Sequence, residues 1–233
     1  MEDKGTLKIK AEKIYRRKLT SRIIKIGLLI LLLFFSMLYL TLYVINTGGY
    51  FTIKLDKNLK ANRSILMSSD SEFSAETVNI KVRGLEYVDN ITESWIPFDD
   101  VISKEGDNSD REGSYIAYTF FIKNNGDDEV NYKSKIVIES VIKNVDEAIR
   151  IAVYFNGERT VYAKKAKNGT EVSKTKAFLS NHLVMQEDRN KIKPGEIDRY
   201  SIVVWLEGTD PECIDDIIGG EMKMSMVITE KTE

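Results

Sequence analysis

Hydrophobic positions follow two patterns along this chain: one unbroken apolar run near the N-terminus, and later stretches in which apolar and polar residues alternate. The run covers residues 26–45 (IGLLILLLFFSMLYLTLYVI) and contains no charged side chain. As a helix it would be about 30 Å long, the thickness of a bilayer's hydrocarbon core. A helix also satisfies its own backbone hydrogen bonds in lipid. The run therefore predicts one transmembrane helix in contact with membrane lipid.

Alternation with a period of two dominates the rest of the chain. It is clearest in residues 78–83, 116–122, 148–155, 199–206 and 222–229. Such alternation is typical of antiparallel strands with one face on a core and one in water. Asn156-Gly157 predicts a tight type I′ hairpin, and Pro194-Gly195 the start of a strand. We expect about eight strands in an all-β, antiparallel β-sandwich or jelly-roll-like domain.

These patterns divide the chain into four segments: a basic tail (1–25), the transmembrane helix (26–45), a polar stalk or linker (46–75) and the sandwich (76–233). Residues 99–113 are polar and weakly patterned, which predicts an exposed loop. A short helix is expected within residues 211–218, with Asp210 as its N-cap.

The tail is strongly basic, whereas the opposite flank of the apolar run carries few lysines. Basic flanks stay cytoplasmic, so we expect a cytoplasmic N-terminus and an extracellular C-terminal domain. A cleavable export signal with a cut near Thr47-Gly48-Gly49 is the alternative. Its hydrophobic region would normally span about 7–15 residues, and the longer run here favours a retained single-pass anchor.

The chain has 34 basic and 36 acidic residues, and the basic tail leaves the remainder acidic. An acidic domain does not attract polyanions, so nucleic acid is not expected as a partner.

Cys213 is the only cysteine, which excludes an internal disulfide. Exported domains without disulfides favour a bacterial, Gram-positive cell surface. We interpret Cys213 as an inert, partly buried thiol rather than an intermolecular bridge.

Few residues offer catalytic chemistry. His182 is the only histidine, which excludes the HExxH zinc motif, and nucleophile, P-loop and dinucleotide motifs are absent. We therefore predict no catalytic residue, no cofactor and no metal. The best cation candidate is a weak calcium group, for which solvated turn carboxylates are the favoured interpretation. It consists of Asp210, Glu212, Asp215 and Asp216.

Two further features have competing interpretations. Trp205 lies on the strand face opposite Tyr200 and could be an exposed binding aromatic, but a structural role on a central strand is favoured. Methionines at 222, 224 and 226 recur at strand spacing and predict core positions.

The C-terminal segment PGEIDRYSIVVWLEGTDPECIDDIIGGEMKMSMVIT resembles a group of exported Firmicute surface proteins of the TasA/camelysin-like β-sandwich type. YTFFIKNNGDDEVNYKSKIVIES and DEAIRIAVYFNGERTVYA extend this resemblance over about residues 115–229. Its sharpest part comprises Trp205, Glu207, Gly208, Asp210, Pro211, Cys213, Gly219 and Gly220.

The resemblance implies an exported jelly-roll-like domain with a role in matrix, fibre or envelope, whose subunits associate through sheet edges by strand donation. The metalloprotease label of camelysin-like members is not carried over, because this chain has one histidine and no zinc motif. TasA-like chains have a cleavable signal, whereas this one is predicted to be anchored.

The leading hypothesis is a membrane-anchored, non-catalytic cell-surface protein whose sandwich mediates protein, envelope or matrix interactions, including self-association. An extracytoplasmic sensor or regulatory subunit of a membrane complex is the first alternative. A carboxylate-dependent hydrolase is the second.

Overall fold

The computed structural model describes residues 4–46, 51–84, 88–110 and 112–231. The chain divides into two compact units, one on each side of the Gly48–Gly49 junction. The alternative cut site at Thr47-Gly48-Gly49 lies outside the described residues.

The first unit is one helix, α1 (Lys4–Asn46), of 43 residues. Within it, Tyr15–Leu40 is long and apolar enough to cross a membrane, and it is the one such helix in the described residues. A signal sequence near an N-terminus also meets these criteria of length and composition. At about 1.5 Å per residue, α1 is roughly twice as long as a bilayer core is thick, so only part of it can lie in hydrocarbon.

The second unit is built almost entirely from strands. Its strands are β1 (Phe51–Leu55), β2 (Ile65–Ser68), β3 (Asn79–Val82), β4 (Asn90–Ile91), β5 (Gly106–Asp107), β6 (Tyr115–Asn124), β7 (Val130–Ile142), β8 (Ile149–Phe155), β9 (Glu158–Ala163), β10 (Lys176–Ala177), β11 (Leu183–Ile192), β12 (Ile197–Glu207) and β13 (Glu221–Glu230). Its helices are α2 (Lys57–Arg63) and α3 (Phe98–Ser103), with 3₁₀ turns at Glu93–Trp95, Val145–Glu147 and Asp215–Ile217.

The strands form two sheets. One has five strands in the order β11-β7-β13-β1-β3, and the other has eight, with the path β10-β9-β8-β12-β6-β2 and with β4 and β5 attached to β12 and β6. Both sheets contribute to one hydrophobic core, which confirms a β-rich domain after an apolar helix.

The prediction of a purely antiparallel sandwich was wrong, because three strand pairs are parallel: β1 with β13, β10 with β9 and β4 with β12. Alternation shows which face is buried but not the direction of a strand's partner.

The predicted stalk is part of the sandwich over much of its length. Phe51, Ile53 and Leu55 of β1 are buried between β13 and β3, and Leu59 of α2 is also buried. Asp56 starts α2 because its side chain accepts a hydrogen bond from the backbone N–H of Asn58 (2.8 Å). The polar residues of this segment occupy the exposed side of a short helix, so composition alone did not reveal the packing.

The hairpin and methionine predictions are confirmed, whereas the predicted loop at 99–113 contains a helix. The Asn156-Gly157 hairpin joins β8 to β9, with positive φ at both residues (48° and 90°), as a type I′ turn requires. Met222, Met224 and Met226 are buried in the core as expected. The predicted exposed loop at 99–113 instead contains most of α3, whose Val101 is buried.

Candidate functional site

The outer face of the eight-stranded sheet carries a second, smaller hydrophobic cluster. The segment that runs from β4 through α3 covers this face and contributes Ile91, Ile96 and Val101. Trp205, at the end of β12, is 1 % exposed and lies beneath the segment, in an edge-to-face contact with Phe98 (ring centroids 5.8 Å apart). Trp205 therefore has the structural role that the sequence favoured.

Both carboxylate oxygens of Glu207 accept hydrogen bonds, and one of them connects β12 to this covering segment. Oε2 accepts hydrogen bonds from the indole N–H of Trp205 (2.9 Å) and from the backbone N–H of Glu93 (3.1 Å). Oε1 accepts from the hydroxyl (2.6 Å) and the backbone N–H (3.2 Å) of Thr209. Burial acts to raise the pKa of Glu207, but the hydrogen bonds from Thr209 and Trp205 outweigh it and lower the pKa. Glu207 is therefore a buried, ionised link between β12 and the segment above it.

A buried ion pair lies beside this link. The guanidinium of Arg150, on β8, pairs with Asp210, and both side chains are almost fully buried. Asp210 Oδ1 also accepts a hydrogen bond from the backbone N–H of Glu212 (2.8 Å). Burial acts to raise the pKa of Asp210, yet the hydrogen bonds from Arg150 and Glu212 lower it overall.

The predicted helix at 211–218 is shorter than expected. Only Asp215–Ile217 forms a 3₁₀ turn, and the residue preceding it is Ile214. Asp210 is not its cap, because the Asp210 carboxylate is already bound by Arg150 and by the N–H of Glu212. The Asp210 carboxylate neutralises the buried Arg150 guanidinium instead of capping a helix, because a buried charge left unpaired would be costly.

The remaining motif residues form the surrounding turns. A Cβ on Gly208 would lie 3.2 Å from the Asn90 side-chain amide, so a larger residue here would require that side chain to shift. Cys213 is a free, half-buried thiol whose pKa is raised by burial. Gly219 has φ +72°, and a Cβ on Gly220 would lie 2.8 Å from that of Val145. Pro211 is exposed.

The four calcium candidates do not form a ligand set. Asp210 forms an ion pair with Arg150. Glu212 accepts a hydrogen bond from the backbone N–H of Lys167 (3.0 Å). Asp215 and Asp216 are exposed. In the described part of the chain, no three His, Cys, Asp or Glu side chains group as a metal-binding site would require.

A cleft of about 570 Å³ opens beside Glu207 and Arg150. Its lining residues come from the covering segment, from the ends of β8 and β12, and from the loop between β9 and β10. They are Thr92, Glu93, Ser94, Ile96, Phe98, Arg150, Val172, Ser173, Lys174, Thr175, Glu207 and Thr209. We call this the Glu207 cleft.

Trp95, between two residues of this lining, is 71 % exposed. The wall beside it is braced by Arg159, whose guanidinium pairs with Glu93 (2.6 Å) and lies 4.5 Å above the ring of Phe98. Sequence reasoning missed Trp95 and Arg150. The isolated tryptophan in the polar stretch NITESWIPFDD was a usable signal for the first, whereas nothing local distinguishes Arg150 from a solvated strand arginine.

Comparisons with known proteins place few constraints on this chain. No family model matches it, and no curated protein matches it. Two solved structures of a Kluyveromyces marxianus β-glucosidase, one in complex with glucose and one labelled with selenomethionine, have TM-scores of 0.26 and identities of 9 % and 11 %. Each alignment covers 72 % of this chain but only 15 % and 16 % of the glucosidase. Likeness at this level supports no argument about fold or activity.

Proposed function

We propose that this chain is a single-pass membrane protein whose β-sandwich is outside the cell and binds other proteins or envelope components without catalysing a reaction. The apolar part of α1 supports the anchor, and the basic residues that precede it support a cytoplasmic N-terminus. The resemblance of residues 115–229 to TasA/camelysin-like surface proteins supports an envelope or matrix setting.

The observation that carries the proposal is the exposure of Trp95 beside the Glu207 cleft. Tryptophan is normally well buried, and exposed tryptophans are enriched among the residues that dominate binding energy at interfaces. Trp95 is held on a firm support, because the Glu207 carboxylate accepts from the backbone N–H of Glu93 and Trp205 packs against Phe98. A rigid aromatic side chain loses little conformational entropy when it binds.

The edge strand β11 gives little support to association through sheet edges. β11 is one edge of the five-stranded sheet, and it is charged at Glu187, Asp188 and Arg189. Its pairing with β7 also shifts register between Arg189 and Ile192. Charges and irregular pairing are features by which edge strands avoid other chains. We therefore assign the main binding surface to Trp95 and the Glu207 cleft.

The test uses the full chain in intact cells, with a photo-cross-linking amino acid in place of Ser94. We expect a discrete cross-linked product, and the Trp95→Ala substitution should reduce its yield about tenfold, as the loss of a central interface tryptophan does. Ile218→Ala is the matched control, since Ile218 is 66 % exposed and does not line the cleft. An equal yield from the Trp95→Ala and Ile218→Ala proteins would contradict the proposal.

A further inference from the structure

A second cavity, of about 230 Å³, lies between the two sheets on the side where β9 and β11 run. It shares no lining residue with the Glu207 cleft. Three aromatic side chains from the eight-stranded sheet, Phe155, Tyr162 and Tyr200, form part of its wall. Glu187, on the facing strand β11, reaches across to Tyr162, whose hydroxyl lies 3.4 Å from Oε1 of the carboxylate. We call this the inter-sheet cavity.

The aromatic wall is fixed by contacts deeper in the core. The Tyr200 ring stacks on Phe120 (centroids 5.2 Å apart) and packs against Phe155 (4.9 Å). Its hydroxyl shares a hydrogen bond with that of Tyr132 (3.1 Å), which donates to Asp198 (2.7 Å). Burial raises the pKa of Tyr200 and of Tyr162 to about 12, so both phenols are neutral at physiological pH. The cavity therefore presents preorganised, uncharged aromatic rings.

The mouth of the cavity has an excess of negative charge. Arg189 is neutralised by Glu196 (2.5 Å) and Asp198 (2.9 Å), so its charge is already balanced. Glu158 has no cationic partner within 4 Å in the described part of the chain. Lys176 and Glu187 form a long ion pair (4.0 Å) at the rim, where their side chains are 64 % and 57 % exposed.

Aromatic faces attract cations, and carboxylates at the rim of the cavity add a favourable charge interaction. The cavity is smaller than the usual range for drug-sized ligands, which suits a group the size of one side chain. From this geometry and charge we propose that the inter-sheet cavity binds an alkylammonium group, with its aliphatic stem against Phe155, Tyr162 and Tyr200 and its charge beside Glu158 and Glu187. The group comes either from a free small amine or from a lysine side chain of a partner.

The first experiment titrates the full chain in detergent micelles with n-butylammonium and with n-butanol, a neutral molecule of similar shape, by isothermal titration calorimetry. We expect saturable binding of n-butylammonium and about tenfold weaker binding of n-butanol, consistent with a cation–π and charge contribution. Equal affinities, or no binding of either molecule, would overturn the proposal.

Variants at the mouth test the charge argument with opposite expected signs. Glu187→Gln should weaken n-butylammonium binding severalfold, and Lys176→Gln should strengthen it because a like charge is removed. Glu171→Gln is the control: Glu171 is also an exposed carboxylate paired loosely with a lysine (3.9 Å), but it does not line the cavity. Near-ultraviolet circular dichroism verifies that each variant is folded. Unchanged affinity in a folded Glu187→Gln protein would refute the assignment.

The two sources are separated by Nα-acetyl-lysine methylamide and its neutral counterpart, Nα-acetyl-norleucine methylamide. If the lysine derivative binds at least as well as n-butylammonium, the cavity accepts a peptide-borne lysine. If only n-butylammonium binds, the backbone is excluded and the ligand is a free amine. Preference for the norleucine derivative would contradict the proposal.

Discussion

The Glu207→Gln substitution tests whether this carboxylate holds the covering segment on the eight-stranded sheet. Oε2 accepts from two N–H groups that can only donate, those of Trp205 and Glu93, so a glutamine must keep its carbonyl oxygen there. Its NH₂ group then faces Thr209. The Thr209 hydroxyl can rotate to accept, but the Thr209 backbone N–H, 3.2 Å from Oε1, loses its acceptor.

The expected cost follows from these contacts. One part-buried N–H left without an acceptor costs about 1 kcal/mol. The two hydrogen bonds to Oε2 no longer have a charged acceptor, which weakens each by roughly half a kcal/mol. The free energy of unfolding should therefore fall by about 2 kcal/mol, equivalent to roughly 4–8 °C in Tm for a domain of this size. Glu207→Ala removes the whole carboxylate and leaves both N–H groups at Oε2 without an acceptor, so it should lower the free energy of unfolding further.

Tryptophan fluorescence during thermal unfolding of the full chain in micelles measures this change. The chain has two tryptophans, so Trp95→Phe leaves Trp205, which donates to Glu207, as the only reporter. Glu171→Gln, at an exposed carboxylate, is the control and should shift the unfolding free energy by less than about 0.5 kcal/mol. If Glu207→Gln changes the free energy of unfolding as little as this control does, the carboxylate does not hold the covering segment and the reasoning is refuted.

Further predictions concern packing, turn geometry and pH. Gly220→Ala places a Cβ 2.8 Å from that of Val145 and should destabilise the sandwich by about 1–3 kcal/mol in urea unfolding; a neutral effect would contradict the close contact. Gly157→Ala introduces a side chain at φ +90° and should cost about 1 kcal/mol in the same assay, whereas unchanged stability would argue against the type I′ turn. Because the folded pKa of Glu207 is lowered, its contribution is present above the unfolded glutamate pKa, near 4.3, and is lost as pH falls through the folded value. The difference between wild type and Glu207→Gln should therefore shrink in melts below about pH 4, and a constant difference would contradict an ionised Glu207.

Period-two alternation predicted much of the sandwich correctly because a buried face imposes it directly. β6, β8, β12 and β13 lie where the alternation placed them, and the Asn156-Gly157 hairpin follows from local φ requirements. The stalk prediction failed because β1 is only five residues long and is followed by polar α2. Its burial depends on β13, more than 170 residues later at the paired positions, which no local pattern encodes.

The candidate site was predictable only in part. The resemblance to TasA/camelysin-like proteins singled out the motif around Trp205 and Glu207. Without knowing which residues contact the motif, the sequence could not separate binding residues from structural ones. Glu93, Arg150 and Phe98, which bond to or pack against this motif, are distant from it in sequence. The exposure of Trp95 depends on how the covering segment lies on the sheet, which is a tertiary property.

The most direct test of the account is the location of the sandwich relative to the membrane. Cys213 is the only cysteine, so Cys213→Ser combined with Ser71→Cys, at an exposed turn position that lines neither the Glu207 cleft nor the inter-sheet cavity, gives a single reporter thiol on the sandwich. Cys213→Ser with Thr6→Cys gives one on the N-terminal tail. With a membrane-impermeant maleimide on intact cells of a Gram-positive host, the first reporter should be labelled at once and the second only after permeabilisation. Labelling of the tail with protection of the sandwich would contradict the proposed anchor and its orientation.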